Sequence, residues 1–306
     1  MKRAAKKLLI ATSIAAGMGG IFTAPALAGS FTNSTISIGG ADDYLVYDSN
    51  GTNTFLDNSA DLQTVLDGNA ANPGGNVELA AKSEKDEFDF TKNTTLKGKI
   101  GGKDITLSSL TKEDWDTTND SGMSFGERWF NEALIANGFE TLLQTPSFII
   151  KGIFGVDDLF SVFESEVGLE RFSDPNISYV NQDITGEISI GLAGHYDAKS
   201  IPLLENLLAV ADGFRDPSKR GTAIQVSEVV KVTYDEKTDF LYSFEATETG
   251  LTDKDDGFSH NGNYEVTLKG KNVDFSRAAA VPEPSVMLGL LSVAGIFVSK
   301  RREKKA

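Results

Sequence analysis

The stretch "EVVKVTYDEKTDFLYSFEA", residues 228–246, decides the fold class. Val230, Val232 and Tyr234 alternate with polar residues, and after a polar interruption Phe240, Tyr242 and Phe244 alternate again. A period of two marks strands with one apolar face, and two such runs in succession predict an antiparallel hairpin. Setting Val230, Val232 and Tyr234 opposite Phe240, Tyr242 and Phe244 requires a five-residue connection, Asp235 to Asp239. A four-residue loop turns one apolar set outward.

Two further stretches read the same way. "TLKGKIGGKDITL" predicts a hairpin turning at Gly101-Gly102, with Leu96 opposite Leu107 and Ile105 on the same face. "TGEISIGLAGHYDA" alternates through Ile188, Ile190 and Leu192.

Helical spacing appears between the strands. "NSADLQTVLDGN" has Ser59 as its expected N-cap, Leu62, Val65 and Leu66 as its stripe, and Gly68 as its expected C-cap. "SFGERWFNEALIANGFETLL" opens with Ser124 and Glu127 at capping-box spacing and sends Phe130, Ala133, Leu134 and Leu142 to one side. "VDDLFSVFESEV" carries Leu159, Val162, Phe163 and Val167, with Asp157-Asp158 at the helix start, where acids suit the dipole. "SIPLLENLLAVADGF" is capped by Ser200 and directs Leu203, Leu204, Leu207, Leu208 and Ala211 to a core. The expectation is α+β: a mainly antiparallel sheet with a helical middle segment, Gly126 to Val167. No repeat of 20–50 residues interrupts that reading.

The chain holds 29 cationic and 44 acidic residues, and its ends are basic, so residues between them number 20 cations against 43 acids, a net of −23. Such a body does not neutralise phosphates, which excludes nucleic acid as a partner. It is repelled by anionic lipid headgroups and attracts cations or cationic polymers. Cysteine is absent. Disulfide scaffolds, zinc–thiolate sites and thiol nucleophiles are thereby excluded, and the fold rests on its core.

The ends carry addresses. Lys2, Arg3, Lys6 and Lys7 precede an apolar run from Leu8 to Phe22 and an Ala26-Leu27-Ala28 site. These three parts predict a signal peptide over residues 1–28, cut after Ala28. Near the other end, "VPEPSVMLGLLSVAGIFVSKRR" places Pro282, Glu283 and Pro284 before an apolar run, Val286 to Val298, and a basic stop at Lys300, Arg301 and Arg302. As a helix the run reaches about 20 Å, short of the ~30 Å hydrocarbon thickness. Snorkelling and local thinning allow a weak span, and the cations hold the end inside. The two prolines keep the preceding backbone extended and accessible to a processing enzyme.

This tail, Val281 to about Lys305, resembles the PEP-CTERM sorting signal of Gram-negative-type bacteria. The resemblance implies recognition by exosortase, a membrane protease, transient membrane anchoring, and association with exopolysaccharide-producing cells. The domain expectation is residues 1–28 signal peptide, 29–280 secreted α+β ectodomain and 281–306 sorting signal. In the body, "GGNVELAAKSE", "LKGKIGGKDITLSSLTKEDW" and "RFSDPNISYVNQDITGEISIGLAGH" look like a group of bacterial PEP-CTERM proteins of unassigned function. That likeness implies no catalytic residue.

Motifs for chemistry are sparse. There is no G-x-S-x-G elbow, H-E-x-x-H or Walker loop, and the two histidines are His195 and His260. His195 follows a strand with no matching nucleophile, so a structural or surface role is expected. Glycoside hydrolysis needs two carboxylates, but the acids are too numerous for a pair to be chosen. The expectation is no cofactor. The best metal candidate, ahead of Asp42-Asp43 and Asp157-Asp158, is a Ca2+ loop in "TDKDDGFSHNGNYE", with Asp253, Asp255, Asp256 and Gly257. Counted from Asp253, glycine falls at the fifth position and Tyr264 at the twelfth, off the EF-hand pattern. A solvated acidic loop is the favoured reading.

The expected function is an exported, exosortase-processed protein of the cell surface or extracellular matrix, non-enzymatic, with the secretion machinery and extracellular polysaccharide as partner classes. The first alternative is a carbohydrate-binding or adhesive module, Ca2+-assisted, with Trp115, Trp129 and the tyrosines as stacking surfaces. The second is a secreted glycan-processing enzyme.

Overall fold

Strand pairing builds the skeleton of the computed structural model, which describes residues 29–155, 158–201, 208–209 and 211–270. In chain order the strands are β1 (Gly29–Ser30), β2 (Thr32–Gly40), β3 (Tyr44–Ser49), β4 (Asn53–Leu56), β5 (Gly75–Leu79), β6 (Thr94–Ile100) and β7 (Lys103–Ser108). There follow β8 (Asn176–Gln182), β9 (Glu187–Gly194), β10 (Val230–Tyr234), β11 (Lys237–Leu241), β12 (Ala246–Glu248), β13 (Thr252–Asp253) and β14 (Gly262–Lys269). The helices are α1 (Leu62–Val65), α2 (Lys112–Trp115), α3 (Phe125–Ala136), α4 (Glu140–Gln144), α5 (Ser147–Phe154) and α6 (Leu159–Glu166). All of them fall within one compact unit, inside Met1–Lys271.

The strands form two sheets. One runs β12-β14-β9-β8-β5-β3-β4-β13, with β1 also paired to β8; the other runs β11-β10-β7-β6-β2. Among the described residues every ladder is antiparallel except the short pairing of β13 with β4. Val46, Val77, Ile177, Ile190 and Leu192 of the larger sheet join Leu96, Ile105, Leu107, Val230 and Val232 of the smaller in one buried cluster. The sheets therefore pack face to face, each presenting its apolar alternate residues inward. The α+β expectation with mostly antiparallel pairing holds, and α3 to α6 form the helical middle.

The Gly101-Gly102 hairpin has its expected register, Leu96 opposite Leu107 and Gly98 opposite Ile105. Both turn glycines have positive φ, 56° and 75°, as a two-residue turn requires. Gly98 has a second role: a Cβ there lies 2.3 Å from the Phe31 ring, so the ring occupies the space a side chain needs.

The hairpin of residues 228–246 differs from expectation. Its connection is two residues, Asp235-Glu236, both at positive φ (49° and 65°), and its register pairs Val230 with Leu241 and Val232 with Asp239. The shorter turn shifts the second strand by an odd number, so Phe240 and Tyr242 change face. They leave the inter-sheet core and enter a separate aromatic cluster with Trp115, Phe125, Trp129, Phe163 and Phe172. Phe125 stacks on both Phe240 (4.8 Å) and Trp115 (5.0 Å). The helical segment thus docks on the aromatic residues that the tight turn exposes. Burial of such rings supplies area and adds about 0.5–1.5 kcal/mol per well-placed pair.

Caps set the helix starts. Ser124 accepts from the Glu127 amide, one half of the expected capping box, and Asp158 accepts from the Phe160 and Ser161 amides at the expected helix start. Asp61, rather than Ser59, caps α1, because Ser59 is engaged by Asp57. The same helix ends at Val65, before Gly68. Gly68 serves close approach instead: a Cβ there lies 2.9 Å from the Pro73 Cα and the Gly74 nitrogen. Of the run after Ser200, Leu208 and Ala211 pack as expected against a third apolar cluster, whereas Leu203, Leu204 and Leu207 lie outside the described residues.

Candidate functional site

Alternation in β5 places the first component. Val77 and Leu79 enter the inter-sheet core, so Glu78 projects from the opposite face, beside its ladder partner Asn176 on β8. Tyr47 of β3 pairs with Asn76 and donates its hydroxyl hydrogen bond to Glu78. A one-turn 3-10 helix, Glu170–Phe172, then delivers Asp174 to that face. Its exit is pinned by Leu110 N–H to the Ser173 carbonyl (3.0 Å) and Leu79 N–H to the Pro175 carbonyl (3.2 Å). Ser173 Oγ accepts from the Trp115 indole N–H at 2.7 Å, tying the site to the aromatic cluster.

Ser83 donates to Asp174 Oδ2 at 2.5 Å. Glu228 arrives from the residue before Val229, whose amide donates to the Phe172 carbonyl (2.9 Å). Asn176 holds it twice, through its backbone N–H to Oε2 (2.8 Å) and its Nδ2 to Oε1 (3.3 Å). Glu78, Asp174 and Glu228 together line a cavity of about 210 Å³.

The cavity is electrostatically unbalanced. Burial pushes the Glu78 carboxyl up to about 7, with the hydrogen bond from Tyr47 opposing. Asp174 is raised well above the usual carboxylate range by burial and then by the charge of Glu78. Glu228 is raised by burial and then by the charge of Asp174. The charge of Glu78 thus disfavours ionisation of Asp174 and Glu228, and that of Asp174 disfavours ionisation of Glu228. Arg171 also lines the cavity, and its guanidinium is paired with Glu84.

Both histidines stand on this cavity. His260 sits at positive φ (62°) on the loop between β13 and β14. Its Nδ1 lies 2.8 Å from Thr54 Oγ1, and its ring meets Tyr47 edge-on at 4.9 Å. Burial lowers it to about 4, against the pull of Asp253, so it is neutral at pH 7. His195 is also lowered by burial; its Nδ1 lies 3.1 Å from Ser200 Oγ, and its ring stacks on Phe258 at 5.5 Å. The arrangement supplies acceptors, neutral imidazoles and carboxyls raised above their usual range in one place.

The acidic loop does not form the Ca2+ pattern. Asp253 Oδ1 accepts from the amides of Asp255 and Asp256, and Asp256 Oδ1 from those of Phe258 and Ser259, so these lone pairs close the loop on itself. Among the described residues no group of three or more His, Cys, Asp and Glu side chains is placed to hold a metal ion. Trp115 and Trp129 are 1% exposed. Both belong to the aromatic cluster, so neither offers a stacking surface to a sugar.

Ala26, Ala28, Pro282, Glu283, Pro284, Lys300, Arg301 and Arg302 lie outside the described residues. Among the described residues no helix is long and apolar enough to cross a membrane. Glu78, Asp174 and Glu228 carry no local signature in the sequence: Glu78 alternates with apolar residues as on a solvated strand face, Asp174 stands in a Ser-Asp-Pro turn pattern and Glu228 precedes a strand. Comparison with protein-family models, curated proteins and solved structures finds no match to the chain.

Proposed function

We propose that the protein is exported by its leader, held transiently at the membrane by its C-terminal segment, and processed there by exosortase. It then acts at the cell surface or in the extracellular matrix as a non-enzymatic interaction protein. The carboxylate cavity is its point of contact with a ligand. The observation that carries the export and sorting part is the order Pro282-Glu283-Pro284, short apolar run, basic stop, paired with an N-terminal leader. The contact point is supported by the gathering of Glu78, Asp174 and Glu228 around one cavity.

The test is mass spectrometry of protein recovered from native cells with and without the exosortase. Loss of the residues after the Pro-Glu-Pro motif is expected only where the enzyme is present. An intact Ala306 on protein outside the cell overturns the proposal.

The Asp174–Glu228 pair favours a second reading, a glycan-processing enzyme. Both carboxyls are held above their usual range, Asp174 by burial and the charge of Glu78, Glu228 by burial and the charge of Asp174, and raised carboxyls suit general acid and base roles. New reducing ends after incubation with host polysaccharide support this reading; their absence leaves the interaction role.

A further inference from the structure

Three buried oxygens at the cavity have no hydrogen-bond donor: Asp174 Oδ1, Asn176 Oδ1 and Asp253 Oδ2. Their residues are 6%, 7% and 6% exposed. Asn176 is the informative member because it is no part of the acidic cluster. Its Nδ2 is committed to Glu228, which fixes the amide and leaves its oxygen unmatched. A buried polar atom without a partner costs about 1–3 kcal/mol, and here every unmatched atom is an acceptor. The missing partner is a donor.

Charge narrows the class. Glu78, Asp174 and Glu228 stand together, and Arg171 is engaged by Glu84. A neutral donor such as a sugar hydroxyl satisfies the lone pairs and leaves the repulsion. A donor with positive charge relieves both. Apolar lining narrows it again: Phe172, Ala198, Ile201 and Val226 share the cavity with the carboxyls. Those side chains offer nothing to a bare metal ion, for which no group of three ligands is placed among the described residues, but they suit a hydrocarbon stem.

We propose that the cavity binds a primary alkylammonium group, its head among Asp174, Asn176 and Glu228 and its methylene stem along Phe172, Ala198, Ile201 and Val226. An ammonium has three donors, enough for the unmatched Asp174 Oδ1 and Asn176 Oδ1 with one left for the Glu228 carboxylate. Free diamines and lysine side chains both carry this group. The inference rests on the reading of the cavity as a recognition site, and it names the ligand class.

The test is calorimetric titration of the full-length chain with 1,5-diaminopentane and with Nα-acetyl-lysine methylamide. The Nε-acetylated form of the latter and Ca2+ serve as comparison ligands. Binding of at least one amine is expected, with the Nε-acetylated form at least tenfold weaker. The stronger of the two amines identifies the source: free diamine or side chain. Glu228→Gln keeps an acceptor for Asn176 and removes the charge, and a loss of about tenfold in amine affinity is expected. Asp174→Asn provides the same comparison if Glu228→Gln does not fold, as judged by its melting transition.

No binding of either amine at about 10 mM, a Kd above the millimolar range, overturns the proposal. So does equal binding of the acetylated form, preference for Ca2+, or unchanged affinity in a folded charge-removing variant. Recovery of the bound amine chemically altered instead overturns the recognition-site reading, while leaving the ligand class in place.

Discussion

Val77 and Glu78 are neighbours in β5, yet one lies in the inter-sheet core and the other in the cavity. The inner face of the larger sheet is apolar and fully packed. The outer face gathers Tyr47, Glu78 and Asn176, buried or partly so, with mutually repelling carboxyls and unmatched acceptors. The same ladder therefore stabilises on one side and bears cost on the other. Buried groups that disfavour folding persist where another role retains them.

The strongest way to break this contrast is to cut the inner face. Ile190→Ala removes a side chain with no exposure, and a loss of about 2–5 kcal/mol is expected from lost transfer and the residual void. Urea unfolding measures it. A loss under 1 kcal/mol, the surface range, contradicts the division between the faces.

The outer face predicts the opposite sign. Glu78 is held at about 7 in the fold against an ordinary 4.5, so the folded state keeps a proton that the unfolded chain releases between those values. Its contribution to stability is complete below 4.5 and is lost as pH rises through 7. Above that, the ionised group costs roughly 3 kcal/mol. Glu78→Gln is therefore expected to be more stable than the parent by roughly 2–3 kcal/mol at about pH 8, with a shallower pH slope from 4.5 to 7. Melting curves across that range check it, and a destabilised variant at the high end refutes the sign.

Two smaller effects sharpen the comparison. Glu236 has φ of 65° in the two-residue turn, where a side chain costs about 1–2 kcal/mol relative to glycine. Glu236→Gly is expected to raise stability by about 1 kcal/mol, read as an upward shift in Tm. Ser124→Ala removes the α3 cap and is expected to lower stability by about 0.5–1 kcal/mol, measured by urea unfolding.

Features written in a few adjacent residues were legible. The Gly101-Gly102 turn, the alternation through Ile188, Ile190 and Leu192, and the Ser124 and Asp158 caps all follow from local rules. The hairpin of residues 228–246 was legible in kind but not in register. Aromatic residues set opposite valines require a single core, whereas the chain has a second cluster that takes Phe240 and Tyr242. The Asp235-Glu236 turn also lacks the glycine that usually marks positive φ.

The cavity was not legible. Glu78, Asp174 and Glu228 are far apart in the chain, and what makes them unusual is the covering of their sheet face by the segment through Phe172 and by the loop bearing His260. No spacing rule reports that covering. His195 reads as a structural or surface residue and His260 carries no motif of its own, yet the two share one cavity.

The rims of the larger sheet have a consequence of their own. It ends in β12, three residues long, on one side and β13, two residues long, on the other. Stubs of that length give a neighbouring copy almost no ladder on which to template itself. The smaller sheet ends instead, on one side, in the nine-residue β2, and that longer rim is where a second copy finds backbone to pair with.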